Sequence, residues 1–528
     1  MPARPPADEV LSIPPKVYAR RWKTLAVLSL SLLIIGLDNT ILNVALPSLQ
    51  EHFGASSSKL QWIVDSYLLV FAGLLLTMGT LGDRFGRKRA LQAGLVLFGG
   101  SSLAVLVVDT ANQLIAVRAA MGVGGALIMP ATLSIITNVF PREERGKAIG
   151  IWAAFAAVGI GLGPLCGGLL LTWFDWSSVF LLNVPVAATA LVLGIVLVPN
   201  SRDPKPGSFD LLGATLSIFT LVSLVWALIE APDRGWTSPL ILGCFAASAL
   251  LGYAFARWEL RTAAPMLNLA YFRNPRFSMA SMGIGFAFFA LFGAIFALTQ
   301  YLQYAHGYSA LQAGGAMVPL AFGLMAGAGS SSKIAARIGT PKVMAAGLTG
   351  VGTLLTTSLL WTPHMTYWPL GFWFFGLALS MGWVMGPGTA SVMGSVPASK
   401  SGVASAMNDV TRQVAGALGT AVIGSLISSI YASKIHDSVA RLPESTRTPA
   451  ADSVGGADAA AATLSHAQGA DLVHAAGAAF TDALGIGFLA AACLALSAAF
   501  AVRRWLPSER ARHEAEVDES SDLDDLAA

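Results

Sequence analysis

The sequence predicts an all-α polytopic membrane protein, with fourteen transmembrane helices arranged as two six-helix halves around a two-helix insert. Three observations predict it. The first is composition: of 528 residues, 55% are hydrophobic and only 12% charged, and mean hydropathy is +0.64. A soluble protein averages about 25% charge, so this chain cannot keep its apolar side chains inside a water-soluble globule. The second is the shape of the apolar runs. They are continuous, near the 20 or so residues that a helix needs to cross a bilayer, and they recur from Leu25 to Ala501. A membrane barrel would alternate apolar and polar residues over about 10 residues instead. The third is the placement of basic residues, developed below.

The first run follows a polar, Pro-rich segment, 1–23, and has no cleavage site behind it, so it reads as a retained span at 24–46. Spans 2 to 6 follow at 60–82, 90–108, 113–137, 147–172 and 178–198. Clusters that a helix in lipid does not carry separate them, such as Asp83 to Arg89 and Pro141 to Lys147. A polar linker, 199–210, leads to two inserted spans at 211–231 and 238–257. The last six lie at 276–300, 312–332, 342–361, 366–391, 401–430 and 478–502. The expected organisation is a cytoplasmic segment 1–23, an N-terminal half 24–198, the linker, an insert 211–257, a C-terminal half 258–507 and an acidic cytoplasmic tail 508–528. The long outer segment 431–475 is rich in Ala, Ser, Asp and Gly with charges of both signs, and reads as a solvated, partly flexible loop.

Charge placement tests this count independently, because cytoplasmic loops collect Lys and Arg. With the N-terminus inside, 26 of the 33 Lys and Arg fall on inner segments. Five fall on outer ones (Lys59, Arg234, Lys434, Arg441 and Arg447), and two, Arg118 and Arg412, fall within spans. A span miscounted early would scramble that bias. Both termini are therefore expected in the cytoplasm and the protein in the inner (cytoplasmic) membrane.

Two stretches suggest that the halves are copies of one unit. The loop after span 2 reads GTLGDRFGRKRAL, residues 79–91, and the loop after span 10 reads GSSSKIAARIGTPKV, residues 329–343. Both are short, basic and glycine-containing. Internal repeats of this kind mark transporters, whose sites lie between the repeats.

Four motifs then carry a resemblance. Residues 37–47 read LDNTILNVALP; residues 79–91 contain Gly79, Asp83, Gly86, Arg87 and Lys88; residues 114–125 read LIAVRAAMGVGG; residues 159–168 read GIGLGPLCGG. In this order and at these spans, they resemble the signatures of the 14-span drug:proton antiporters of the major facilitator superfamily, the QacA/EmrB type, over about Thr24 to Trp505. The chain departs from that pattern at Met121, where the family often has Gln. The resemblance implies the major facilitator fold and export of drugs in exchange for protons. It also implies a gating loop at Gly79, Asp83, Gly86, Arg87 and Lys88, and an antiporter hinge at Gly159, Gly163, Pro164, Gly167 and Gly168.

The residues support these roles on physical grounds. Glycine permits the sharp turn where span 2 leaves the membrane, and Asp83 can meet a helix N-terminus or Arg87. Glycines at 159–168 allow close helix approach, and Pro164 removes a backbone hydrogen bond. Charge inside a bilayer costs at least about 2.5–3.5 kcal/mol and seeks a partner or a cavity. By helical rise, Asp38 lies about 12 Å deep, and Asp65 and Arg118 about 8 Å deep, all in the outer half; Asp409 and Arg412 lie in the inner half. Asp38 and Arg118 can form either a structural ion pair or a proton-coupling pair, and the resemblance favours the second. Asp409 can pair with Arg412 at i, i+3 or attract a cationic cargo. Asp65, flanked by Trp62 and Tyr67, suits a lipophilic cation through charge and cation–π contact, although aromatic residues near span ends also anchor helices. Substrate contacts are thus expected at Asp65, Asp409, Trp62 and Tyr67. The seven histidines fall outside the spans, which leaves carboxylates to carry protons.

The three cysteines (Cys166, Cys244 and Cys493) have no metal or disulfide spacing. No nucleophile–base cluster or P-loop appears, so an enzyme or an ATP-driven pump is not expected. The expected function is proton-coupled multidrug efflux of lipophilic, often cationic compounds by alternating access. The alternative is export of an endogenous metabolite, antibiotic or lipid with the same fold. Small molecules, protons and the bilayer are the expected partners. No cofactor, metal or nucleic acid is expected. The chain is expected to work as a monomer, with accessory periplasmic partners left open.

Overall fold

The computed structural model describes residues 13–202, 210–262, 265, 267–363, 365–396, 401–440 and 442–507. Most of the 1–23 segment, most of the linker and the acidic tail 508–528 lie outside the described residues. Among the described residues there is no strand. Among the same residues, fourteen helices are long and apolar enough to cross a bilayer. Spans 1 to 6 are Pro15–Phe53, Ser57–Phe85, Arg87–Val107, Ala111–Val139, Lys147–Trp173 and Ser178–Leu197. Spans 7 and 8 are Leu211–Arg234 and Pro239–Glu259. Spans 9 to 14 are Pro275–Ala305, Ala310–Ile338, Thr340–Leu360, Tyr367–Gly394, Ser405–Val439 and His466–Trp505.

Helix ends carry the expected local chemistry. Thr110 and Gln113 form a reciprocal capping box at the start of span 4, and Ser309 and Gln312 form another at span 10. Gly86 closes span 2 with φ 115° and Gly339 closes span 10 with φ 89°, so the two related loops turn on glycines at matching places. Packing repeats as well. Spans 1 and 5, 2 and 4, and 3 and 6 pair in the first half; spans 9 and 13, 10 and 12, and 11 and 14 pair in the second.

The halves meet along two seams, span 2 against span 13 and span 5 against span 10. The hydrogen bonds seen between them lie at the end of the molecule away from the start of span 1, here the outer side. Gln303 Nε2 donates to the Val44 carbonyl at 2.9 Å, Tyr304 Oη to Gln50 at 3.1 Å and Ser425 Oγ to Gln61 at 3.3 Å. One helix face reports how the second seam opens. Gly168, Gly161 and Gly150 stand 7 and 11 residues apart, a whole number of turns, and so share a face of span 5. A Cβ on Gly168 would strike the Ala310 carbonyl, and one on Gly161 would come within 2.6 Å of the Ala321 methyl. One on Gly150, near the inner end, would meet nothing. The seam is therefore shut outside and parted inside.

One expectation needs correction. The segment 431–475 is not a solvated loop: span 13 continues to Val439, helices Glu444–Asp452 and Val454–Ala461 follow, and span 14 begins at His466. The cause is small-residue packing. Ala450, Val454, Ala457 and Ala460 are buried, and the Tyr431 hydroxyl donates to the carbonyls of Ala450 at 2.9 Å and Ser453 at 3.2 Å. Span 6 runs through Leu182 in helical conformation, at φ −55° and ψ −32°, although Pro185 has no N–H to give the Leu181 carbonyl.

The insert is placed unequally. Span 7 packs on span 8 and also on spans 2 and 13, bridging their seam at its outer end. Trp62 Nε1 donates to Glu230 at 3.3 Å, Ser58 Oγ to Asp233 at 3.0 Å and Ser425 Oγ to the Leu228 carbonyl at 2.6 Å.

Candidate functional site: a buried charge centre in the first half

Span 1 brings Asp38, span 4 brings Arg118 and span 6 brings Asn183 to one point in the outer half. Arg118 Nη1 lies 2.5 Å from Asp38 Oδ2, and Asn183 Nδ2 donates to Asp38 Oδ1 at 3.2 Å. Arg118 Nε donates to the Ile63 carbonyl at 3.1 Å, and its guanidinium stands 4.4 Å from the centre of the Tyr67 ring. Asp38, Arg118 and Asn183 are each 1% exposed, and Tyr67 is fully buried. Removing one partner of such a buried pair strands the other charge, at a cost of about 3–5 kcal/mol. The expected pair thus exists, with an amide partner that sequence reasoning missed. The available signal was a lone Asn two residues before Pro185 inside an apolar run.

Tyr67 therefore stands with Arg118, not beside Trp62 at a membrane interface. Trp62 is half-buried and its indole reaches Glu230, which also pairs with Arg234 at 2.8 Å. Glu230 thus ties span 7 to span 2 and is not the solvated end group that its position suggests. Asp65 lies one turn from Gln61 on the same face of span 2, towards the seam that Gln61 makes with Gly424 and Ser425. It is fully buried, and among the described residues neither carboxylate oxygen has a hydrogen-bond partner.

Asp409 and Arg412 pair loosely, at 3.7 Å, and Arg412 Nη2 donates to Thr389 Oγ1 of span 12 at 2.7 Å. Thr411, between them in sequence, lines an apolar recess of about 410 Å³ between spans 9 and 13, walled by Met279, Met282, Phe286 and Phe289. The structure does not bring Asp409 together with Trp62, Asp65 and Tyr67.

The hinge residues divide into two sets. Gly159, Gly163 and Gly167 form a stripe against span 1: a Cβ on Gly159 would lie 2.7 Å from the Leu33 carbonyl, and one on Gly167 2.9 Å from that of Ile41. Gly168 and Pro164 instead face span 10, where a Cβ on Gly314 would strike the Pro164 carbonyl. Pro164 leaves the Ile160 carbonyl without its helical donor; Thr40 Oγ1 supplies one at 2.9 Å.

In the gating loop, Arg87 Nε pairs with Asp83 at 2.7 Å, the Arg87 amide donates to Ser201 at 3.0 Å and Lys88 Nζ to the Ile195 carbonyl at 2.8 Å. A Cβ on Gly79 would press on Pro130 of span 4 at 3.2 Å. These bonds stay within the first half and the start of the linker that follows it.

On the outer surface, the Ser57 amide, in the first turn of span 2, donates to Asp452 at 3.2 Å, and Ser453 Oγ accepts from Gln50 Nε2 at 2.6 Å. Burial, then the nearby Asp233, pushes the Asp452 carboxyl up to about 6. Burial, then Glu51, raises Asp458.

A fourteen-span helical protein, shut outside and parted inside around a buried ion pair, is built as a secondary transporter and not as an enzyme. Residues 28–420 match the model of the Major Facilitator Superfamily, and the chain belongs to that family. It is 38% identical over 484 residues to the multidrug efflux pump LfrA of Mycolicibacterium smegmatis, covering 92% of this chain and 96% of that one. It is 35% identical over 416 residues to the tetracenomycin C resistance and export protein of Streptomyces glaucescens, covering 78% and 76%. Among solved structures, a bacterial homolog of the human lysosomal transporter Spinster superposes with a TM-score of 0.61 at 18% identity, covering 93% of this chain and 99% of that one. The xylose transporter XylE of E. coli gives 0.59 at 14% identity, with the same coverage. These last two speak to the fold alone.

Proposed function

We propose that this transporter expels lipophilic, often cationic, small molecules from the cell in exchange for protons. The observation that carries the reading is the Asp38–Arg118 pair, sealed in one half of a molecule whose outer side is shut. A proton on Asp38 removes the charge that holds Arg118. Through Ile63 and Tyr67, Arg118 is tied to span 2, which forms the outer seam with span 13. Protonation therefore acts on the contacts that must part for outward opening, and differential stability of the two states is what drives alternating access. Asp65 faces the same seam, where a proton or a cationic cargo would satisfy its carboxylate. The apolar recess by Thr411 suits a lipophilic body, with Asp409 and Arg412 beside it.

Gly79, Asp83, Gly86, Arg87 and Lys88 act as the inner gate when the molecule faces outward; Gly168 and Pro164 supply the surface on which the halves rock, and Gly159, Gly163 and Gly167 hold spans 1 and 5 together within the moving half. Spans 1–6 and 9–14 are the moving halves. The protein works as a monomer in the cytoplasmic membrane, with both termini inside. The relatives named for multidrug efflux support drugs as cargo. The likeness to a tetracenomycin C export protein favours a second reading, export of an antibiotic made by the same cell.

The test is ethidium efflux from cells expressing the chain, with and without a protonophore. Wild-type efflux should collapse with the protonophore, and Asp38→Asn should abolish uphill efflux. Wild-type ethidium extrusion by Asp38→Asn would sink the proposal. Asp409→Asn should weaken export of cations more than of neutral compounds.

A further inference from the structure

We infer that Asn183 is a positioning residue of the proton cycle: it holds Asp38 Oδ1 in place while the pair between Asp38 and Arg118 forms and breaks. The inference rests on the reading that Asp38 carries the proton. Its own basis is geometric. The two oxygens of Asp38 have different partners on different helices, Arg118 of span 4 at 2.5 Å and Asn183 of span 6 at 3.2 Å. Asn183 is 1% exposed, and the packing of span 6 on span 1 brings its amide to Asp38.

The chemistry of the two partners is unequal. A guanidinium has donors only and does not give up its proton. A proton on either oxygen of Asp38 removes the charge that holds the guanidinium. An amide carries both donors and an acceptor, so Asn183 keeps a bond to Oδ1 whether that oxygen is bare or protonated. Asn183 thus fixes the carboxyl while the ion pair weakens, and the change falls on Arg118, the partner tied to span 2.

The test uses the purified full chain in proteoliposomes, with ethidium-driven proton release followed as a function of pH. Two variants decide it. Asn183→Leu removes the donor at similar volume, and Asn183→Asp keeps the shape but sets a second carboxyl beside the first. Both should move the midpoint of the pH profile to higher pH, by about one unit for Leu, a tenfold change in proton affinity, and by more for Asp. Lower amplitude at every pH with an unchanged midpoint in both would overturn the inference and leave a structural role. If the Leu variant does not reach the membrane, the near-isosteric Asp variant decides alone. Asp38→Asn, run beside them, separates the failures. Uphill transport in that variant overturns the underlying reading; its loss together with a wild-type midpoint in Asn183→Asp overturns the inference alone.

Discussion

Alanine at Gly168 or Gly314 should shift the transporter toward its outward-open form. At Gly168 the added Cβ would lie 2.9 Å from the Leu311 α-carbon and strike the Ala310 carbonyl; at Gly314 it would strike the Pro164 carbonyl and come 3.2 Å from the Leu165 α-carbon. Carbon atoms settle at about 3.5–4.0 Å, so spans 5 and 10 must part by roughly 1 Å to admit either methyl. Overpacking of this order costs about 1–3 kcal/mol. The cost falls only on the state in which the outer ends touch, so each substitution should move the equilibrium about 5- to 150-fold. Electron–electron distance measurements between spin labels at the exposed outer residues Trp173 and Trp368 would read it as a grown population of long distances. Gly159→Ala is the control, because its Cβ would meet the Leu33 carbonyl inside one half. It should lower thermal stability and leave the distances alone. Unchanged distances in both seam variants, or an equal widening in Gly159→Ala, would refute the reasoning.

Docking of the outer helices 444–461 should depend on pH through Asp452. Its carboxyl is raised in the docked state from 3.8 to about 6, so docking is strongest below the free value and is lost as pH climbs through about 6. Amide protection over 444–461, with the intrinsic base-catalysed exchange divided out, should fall across that window, and Asp452→Asn should flatten the dependence; protection independent of pH in the native chain would contradict it. Gly86→Ala should cost about 1–3 kcal/mol, because a φ of 115° is strained for any side chain, and a fall in the thermal midpoint of the purified protein checks it. Thr40→Val should cost about 1–3 kcal/mol by stranding the Ile160 carbonyl that Pro164 leaves free. The same thermal assay should show that penalty gone in a background where Pro164 is replaced by Ala.

Much of the architecture was legible because its signals are local. Twenty apolar residues read as a span wherever they occur, and the bias of Lys and Arg orients them without tertiary information. The motif around Asp38 and the one around Arg118 told which charges to watch, and depth along each helix placed them at one level. The third partner was not legible, since nothing in FLLNVPVA states that Asn183 turns toward span 1; the packing of span 6 on span 1 sets that direction. The outer helices were missed for a different reason. Ala450, Ala457 and Ala460 bury little surface each, so their packing leaves no hydropathy signature, and Ser and Asp around them read as solvated. The glycines of 159–168 were seen as one hinge, yet their spacing already separates Gly159, Gly163 and Gly167 on one face from Gly168 on another.

Span 7 has a mechanical consequence for rocking. At the outer end it touches both halves, through Trp62 and Ser58 on one side and Ser425 on the other, and among the described residues neither inserted helix packs across the other seam in the same way. A gap that opens between the halves must therefore widen more beside spans 5 and 10 than beside spans 2 and 13. The motion is that of a door hung on one jamb, and not of two equal leaves. A bulky amphiphile moving between the bilayer and the interior meets one free doorway, on the side away from the insert.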